Sequence, residues 1–520
     1  MLKHFSLISL LLAVSLQTYA QSPTWADDVA QIIYNNCSSC HHEGGIGPFA
    51  LMSYEDAFNN AFSIKAQVES RLMPPWKPDP DYMHFKDERV LSDTDISTIS
   101  NWVVAGAPSG DLSMAPLPPV FTPGSALPTI DLALQTPSYT VPVNVDDYRT
   151  FVIHSNFTED VFLNQIEYMP GNGSIVHHIV IFYDPTNYSW NLDQADTVPG
   201  YESYGVGPIN NSSDIIGAWA PGSGVFTLPE NMGIRIPAGA DFGVEVHYAP
   251  GSNGLTDVSA VNLKFTDATQ QNIREVYVDG ILNHFDNLTD GPLFIPANTI
   301  QTFHEEFDWQ YGDISVISIF PHMHLVGKSF KVWSLDENND TTHLISIPDW
   351  DFHWQGFYDY QKPVHITDPS ELWAEATYDN TTGNPDNPSN PPQDVYAGEH
   401  TTDEMMIVFF TWLPYETGDE NIILDSSLVT TVPLISTVNT TLLIYPNPVH
   451  DELLIYTNFQ ASGTISYELF DVTGGIVKQW QEPGSIQKIS KISVNNLQSG
   501  VYLLKASSAE GARFAKVIKQ

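Results

Sequence analysis

The chain predicts a multidomain protein: a small all-α module, two antiparallel β-sandwiches of jelly-roll type, and a small C-terminal β-sandwich. Three observations lead there. Helical periodicity surrounds Cys37-Ser38-Ser39-Cys40-His41. Short β-branched and aromatic runs, separated by Gly, Asn, Asp and Pro clusters, fill residues 143–435. Alternating strands with Gly-rich turns occupy residues 441–520. The length of 520 residues agrees, since about 150 residues per domain gives three or four domains.

Residues 1–20 read as a secretory signal peptide, with Lys3 as the charged region, Leu7 to Leu16 as the apolar stretch and Ala20 as the small-residue exit. That run is too short to span a bilayer, and nothing downstream reaches the roughly 18 to 20 apolar residues a spanning helix needs. The expectation is an exported chain with no membrane-spanning segment. Its formal charge is −42, from 62 acidic and 20 basic residues, so it repels phosphate backbones and nucleic acid is excluded as a partner. Residues 441–520 are nearly balanced, which assigns the acidity to everything before them.

The α module is expected over 22–112. Val29, Ile32 and Ile33 share one helical face ahead of the cysteines; Ser53 and Asp56 resemble a capping box before Ala57, Ala61, Ile64 and Val68. Ser92 with Asp95 opens a third helix that carries Ile96, Ile99 and Val103 and stops at Gly106. C-x-x-C-H is the pattern that attaches a c-type haem: Cys37 and Cys40 form the thioethers and His41 is the proximal ligand. A redox C-x-x-C and half of a zinc site are the alternatives, but the chain has only these two cysteines. Met73 is the expected distal ligand, because Pro74 and Pro75 end its helix and stiffen its loop, with Met83 and His84 competing. The stretch resembles class I c-type cytochromes, including their Leu-Ser-Asp helix opening at Leu91 to Asp93.

Residues 113–142 are Pro-rich and read as a semi-rigid linker, which predicts a haem module tethered near its neighbour rather than merged with it. The sandwiches are then expected at 143–275 and 276–435. Within them His177 and His178 interrupt the strand Ile175 to Phe182, His247 interrupts Glu245 to Tyr248, and His322 and His324 end the run from Ile317. Alternation puts His322 and His324 on one face, which suits two ligands to one metal. His177 and His178 nominally face opposite ways, so joint ligation requires a bulge or strand end and different ring nitrogens.

A paired HH, a lone strand His and an H-x-H, followed by Asp403-Glu404-Met405, resemble the copper type II, ascorbate-dependent monooxygenases, over roughly residues 145 to 415. That family includes peptidylglycine α-hydroxylating and dopamine β-monooxygenases. The resemblance implies two copper ions. One, for electron transfer, is held by His177, His178 and His247; the other, which binds oxygen, is held by His322, His324 and Met405. It implies hydroxylation of a substrate C–H bond with O2, an external electron donor such as ascorbate or a redox protein, and no acid/base dyad. Soft sulfur beside imidazoles suits a copper that cycles through its reduced state.

The chain departs from the peptide-amidating branch where an Arg, an Asn and a Tyr anchor the peptide carboxylate: Phe320, Ile407 and Phe409 stand there. A small-molecule substrate of low polarity is expected instead. The fused haem is a second departure, and predicts that electrons reach the coppers through it. Residues 441–520, opening Tyr445-Pro446-Asn447-Pro448-Val449, resemble the C-terminal sorting domains of the Bacteroidetes type IX secretion system. The expected location is therefore extracellular or at the cell surface, by way of the periplasm and the type IX machinery. The expected function is a secreted, haem-fused copper monooxygenase; the alternative is an extracellular haem/copper electron-transfer protein without hydroxylase activity.

Overall fold

The computed structural model describes residues 22–121, 124–203, 214–267, 270 and 272–425, and then 442–445, 447, 449–457, 464–471, 475–483, 488–508 and 511–519. The leader expected at 1–20 lies outside the described residues, as do Pro446 and Pro448. The chain divides into two units, residues 1–429 and 430–520. Among the described residues no helix is long and apolar enough to cross a membrane.

The N-terminal helices form where the pattern placed them. A π-turn at Trp25–Val29 runs into Ala30–Asn36. The expected second helix breaks at Asn60 into Tyr54–Asn59 and Ala61–Glu69. Ser53 accepts from the Asp56 amide at 3.1 Å. Ser92 and Asp95 complete a full capping box on Asp93–Val104, which satisfies two amides that a helix start leaves without partners. Trp25, Ile33, Ile64, Val68, Ile99 and Trp102 bury against one another to form this module's core.

The module is merged with its neighbour, contrary to the tether expected from the linker. The Asp79 amide donates to the Ser346 carbonyl at 2.8 Å and the Lys86 amide to the Asp359 carbonyl at 2.7 Å. Phe85 forms a bridge with Tyr360 and is fully buried inside the second sandwich. The tie therefore comes from the loop after Met73, while the Pro-rich segment enters the first sandwich. Its Leu132–Gln135 pairs with Ala260–Phe265, and Tyr139–Thr140 with Thr256–Asp257.

The two β-rich halves share a sheet. A nine-stranded sheet passes through Val161–Met169, Met232–Ile236, Arg274–Asn283, Ile407–Pro414 and Ile314–His322 in spatial order, ending on Tyr358–Ile366. One parallel pairing, Met232–Ile236 with Arg274–Asn283, stitches the halves together. A five-stranded sheet containing Asp147–His154, Asp241–Tyr248 and Val176–Asp184 covers the first half. A four-stranded sheet, Thr299–Trp309, Ser370–Asn380, Gly327–Asp336 and Thr341–Ile347, covers the second. Ile166, Ile234, Ile179 and Val244 pack in the first core; Val316, Phe410, Phe330 and Val332 pack in the second.

In the C-terminal unit, a three-stranded and a four-stranded sheet enclose Leu453, Ile455, Leu469, Leu504 and Val517. Alternate residues of Thr464–Phe470 are buried, the period-two pattern expected of a half-covered strand.

Because Phe85 fills the second core from the helical module's loop, Phe85→Ala should destabilise the chain by about 3–5 kcal/mol. Denaturant unfolding checks this, and a loss of less than about 1 kcal/mol, typical of an exposed site, would show that the loop is not part of that core.

Candidate metal and haem centre

The first cluster depends on a bulge. His247 pairs with His178, but the next residue, Tyr248, pairs with Val176, so His177 is an extra residue in its strand. The extra residue bends the strand and turns both adjacent histidines toward His247. His177 Nδ1 lies 3.3 Å from His178 Nδ1, which is 3.3 Å from His247 Nδ1. One ligand atom from each residue fits within 4.8 Å of the others, a spacing that suits a single metal ion. The bulge is the irregularity that joint ligation requires, and the close approaches among the three rings are between Nδ1 atoms. The His247 Nε2–H donates to Asp146 Oδ1 at 2.7 Å, leaving the Nδ1 lone pair free. Tyr148 stacks on the same ring at 4.1 Å and fixes its plane. Burial lowers the His177 pKa to about 4 and those of His178 and His247 well below the usual value, so the cage is neutral and ready for a cation.

The second cluster closes the strand Ile314–His322. His322 and His324 have ring centres 5.1 Å apart and planes at 88°. His322 Nδ1–H donates to Gln355 Oε1 at 2.9 Å, and His324 Nδ1–H to the Asp403 carbonyl at 3.1 Å. Both residues therefore keep Nε2 for a ligand, the opposite choice from the first cluster. Burial lowers their pKa values to about 3 and about 4. Glu404 ties the Met405 backbone to the segment that carries this pair. Its buried carboxylate accepts from the amides of His324 and Val326 at 2.8 Å each and of Met405 at 3.2 Å. Met405 is 3% exposed, its carbonyl accepts from Tyr378 at 2.8 Å, and Ile407, two residues on, pairs with His322. The sequence reading assigned no role to Glu404, although it stands in the middle of the motif.

His178 and His322 open onto one small cleft of about 50 Å³, walled by Tyr148, Trp219, Phe320 and Phe352. Phe320 lies against Phe357 at 4.9 Å and Phe409 at 5.8 Å. Phe357 and Phe409 pack on Val180, Phe182 and Ile215 of the first half. Phe320 and Phe409 thus belong to an apolar seam between the halves.

Cys37, Cys40, His41 and Met73 line a cavity of about 460 Å³ with Ile64 and Val68 among its apolar walls. The residues fit a haem. His41 Nδ1–H donates to the Phe49 carbonyl at 2.9 Å, which leaves Nε2 for the iron. Gly47 has to be glycine, because a Cβ there would stand 2.6 Å from the His41 ring. Burial pushes the Cys37 thiol up to about 12, which does not suit a reactive thiolate. Met83 packs on the second sandwich and His84 pairs with Glu88, whereas Met73 faces the cavity. His177, His353 and Trp354 form part of the same cavity's wall, with the His177 and His353 rings 5.4 Å apart. His353 had no place in the sequence pattern.

Comparison with known proteins agrees with this geometry. Residues 300–422 match the copper type II ascorbate-dependent monooxygenase C-terminal domain, and residues 443–520 the secretion system C-terminal sorting domain. DBH-like monooxygenase protein 1 of Gallus gallus is 24% identical over 46% of this chain, and DBH-like monooxygenase protein 2 of Mus musculus 26% over 47%. The chain covers 39% of the length of each of these relatives. Among solved structures, a Faecalibacterium prausnitzii β-glucuronidase aligns at 12% identity over 42% of this chain and 37% of its own, with a TM-score of 0.12, too low to carry any argument. A three-histidine cluster, an H-x-H pair and a matching family model therefore place a copper type II monooxygenase-like domain in this chain, fused to a secretion sorting domain.

Proposed function

We propose that the chain is a secreted copper-dependent monooxygenase that hydroxylates a C–H bond of a small, low-polarity substrate with O2, its electrons arriving through a covalently attached haem c. The observation that carries this reading is the single wall formed by the first histidine cluster: His177 borders the Cys37–Met73 cavity, and His178 borders the cleft shared with His322. Copper in the two cages supplies one-electron chemistry and an affinity for dioxygen, and haem c on Cys37 and Cys40 supplies a one-electron store.

The protein's own residues do the rest. His177, His178 and His247 would hold the electron-transfer copper through Nδ1, with Asp146 and Tyr148 fixing His247. His322, His324 and Met405 would hold the oxygen-binding copper, with Gln355 and Asp403 setting the tautomers. Glu404 holds the Met405 backbone against the H-x-H segment. Phe320, Phe357 and Phe409 exclude water and offer no partner to a carboxylate, which supports a low-polarity substrate. Residues 441–520 would be read by the type IX secretion machinery, with ascorbate or a redox protein as the external donor and the cell exterior as the location.

The tightness of the seam also favours a second reading, an extracellular haem/copper electron-transfer protein without hydroxylase activity. Oxygen consumption separates the two: uptake matched by a hydroxylated product supports the monooxygenase, and none across a panel of apolar substrates supports the carrier.

Metal analysis after dialysis should find two coppers per chain by the family's pattern, and His247→Ala should retain only the second; full retention would contradict the three-histidine cage. Glu404→Gln should weaken copper at the second cluster by about 10–100-fold while sparing the first, as measured by competitive chelator titration. In stopped-flow mixing with oxygen, removal of copper should slow the oxidation of reduced haem. Unchanged haem oxidation would end the relay.

A further inference from the structure

Where the helical module meets both sandwiches, four buried donor atoms have no hydrogen-bond partner among the described residues: Trp76 Nε1, Arg89 Nε and Nη1, and Tyr168 Oη. All three side chains line one pocket of about 100 Å³. Trp76 and Arg89 come from the loop after Met73 and Tyr168 from the strand Val161–Met169, and Arg89 Cζ lies 5.8 Å from the centre of the Trp76 ring. Buried donors without acceptors are costly, and a guanidinium costs most, so such a group is retained where something binds it.

The local charges identify what binds. Lys77 is paired with Asp349 and Asp351, and Lys86 with Asp359. Asp87 also lines the pocket but makes no ion pair with Arg89. Arg89 is thus the one of these three cations outside an ion pair among the described residues, beside an indole N–H and a phenol O–H, while Asp87, the remaining carboxylate of the lining, is exposed to solvent. A monoanion with two oxygens satisfies that set, and a guanidinium fork with flanking donors is matched to a carboxylate. A dianionic phosphate would leave one of its charges unpaired.

We propose that this pocket binds a small organic carboxylate. The position favours a separate molecule over a haem propionate. Gly222, at φ +88°, makes room for Arg89: a Cβ there would lie 1.9 Å from Arg89 Nη1 and 3.3 Å from Cys40 Sγ. Arg89 thus sits on the Cys40 side of the haem cavity, and propionates leave a porphyrin from the edge opposite the thioethers. Trp354, from the haem cavity wall, and Gln355, the acceptor for His322, also line the pocket. Its occupant lies between the haem cavity and the second histidine cluster, so the proposal holds whether or not the hydroxylase reading does.

Calorimetric titration of the full chain with succinate, and with the neutral succinamide, tests it. Succinate should bind at least about tenfold more tightly than succinamide, and Arg89→Gln should remove the preference. Trp76→Phe and Tyr168→Phe, which delete only a donor, should each weaken succinate by several-fold with unchanged thermal unfolding. Should succinate fail to bind while Arg89→Gln shifts the midpoint potential of a still covalently attached haem, the carboxylate is the haem's own propionate, and the chemistry of the pocket stands. Equal binding of the two probes, or no binding together with an unchanged midpoint potential, overturns the proposal.

Discussion

The first histidine cluster and the two cavities it separates depend on one irregularity in a strand. Without the extra residue at His177, alternation would send one of two adjacent imidazoles into the core and the other toward the second half. With it, three Nδ1 atoms converge, and the rings that carry them become the partition between a haem-sized cavity and the cleft at the H-x-H pair. The surrounding strand is almost wholly buried, so the cost of bending it is met by packing on both faces. A neutral cage follows from that burial, and a neutral cage beside Asp146 attracts a cation without a permanent carboxylate ligand.

The two clusters use the same chemistry with opposite tautomers. At the first, a carboxylate holds Nε2–H and frees Nδ1; at the second, an amide oxygen and a backbone carbonyl hold Nδ1–H and free Nε2. Rigid second partners of this kind orient a ligand ring before metal arrives. Glu404 extends the principle from side chain to backbone, since one carboxylate accepts three amides around the H-x-H and Met405.

Much of this was legible in the chain because it depends on local spacing. C-x-x-C-H and the alternation of His322 and His324 are read within five residues, and the Ser92–Asp95 capping box within four. What escaped depends on partners far away in sequence. The choice of ring nitrogen is set by Asp146, Gln355 and Asp403. The merging of the helical module comes from Phe85, Met83 and the Asp79 and Lys86 amides, all in a Pro-rich loop with no period to announce it. The shared nine-stranded sheet arises from one parallel pairing, and register between strands leaves no mark in either strand alone. Arg89 and His353 carry no motif; only the cavities they line bring them into view.

The central claim, that the first histidine cluster is a metal site forming part of the wall of a haem cavity, is met most directly by anomalous diffraction from copper-loaded, haem-bearing crystals at the copper and iron edges. The account predicts a copper peak among the Nδ1 atoms of His177, His178 and His247, and an iron peak between His41 and Met73 in the cavity that His177 borders. No copper peak among those three nitrogens, or an iron peak outside that cavity, would contradict it.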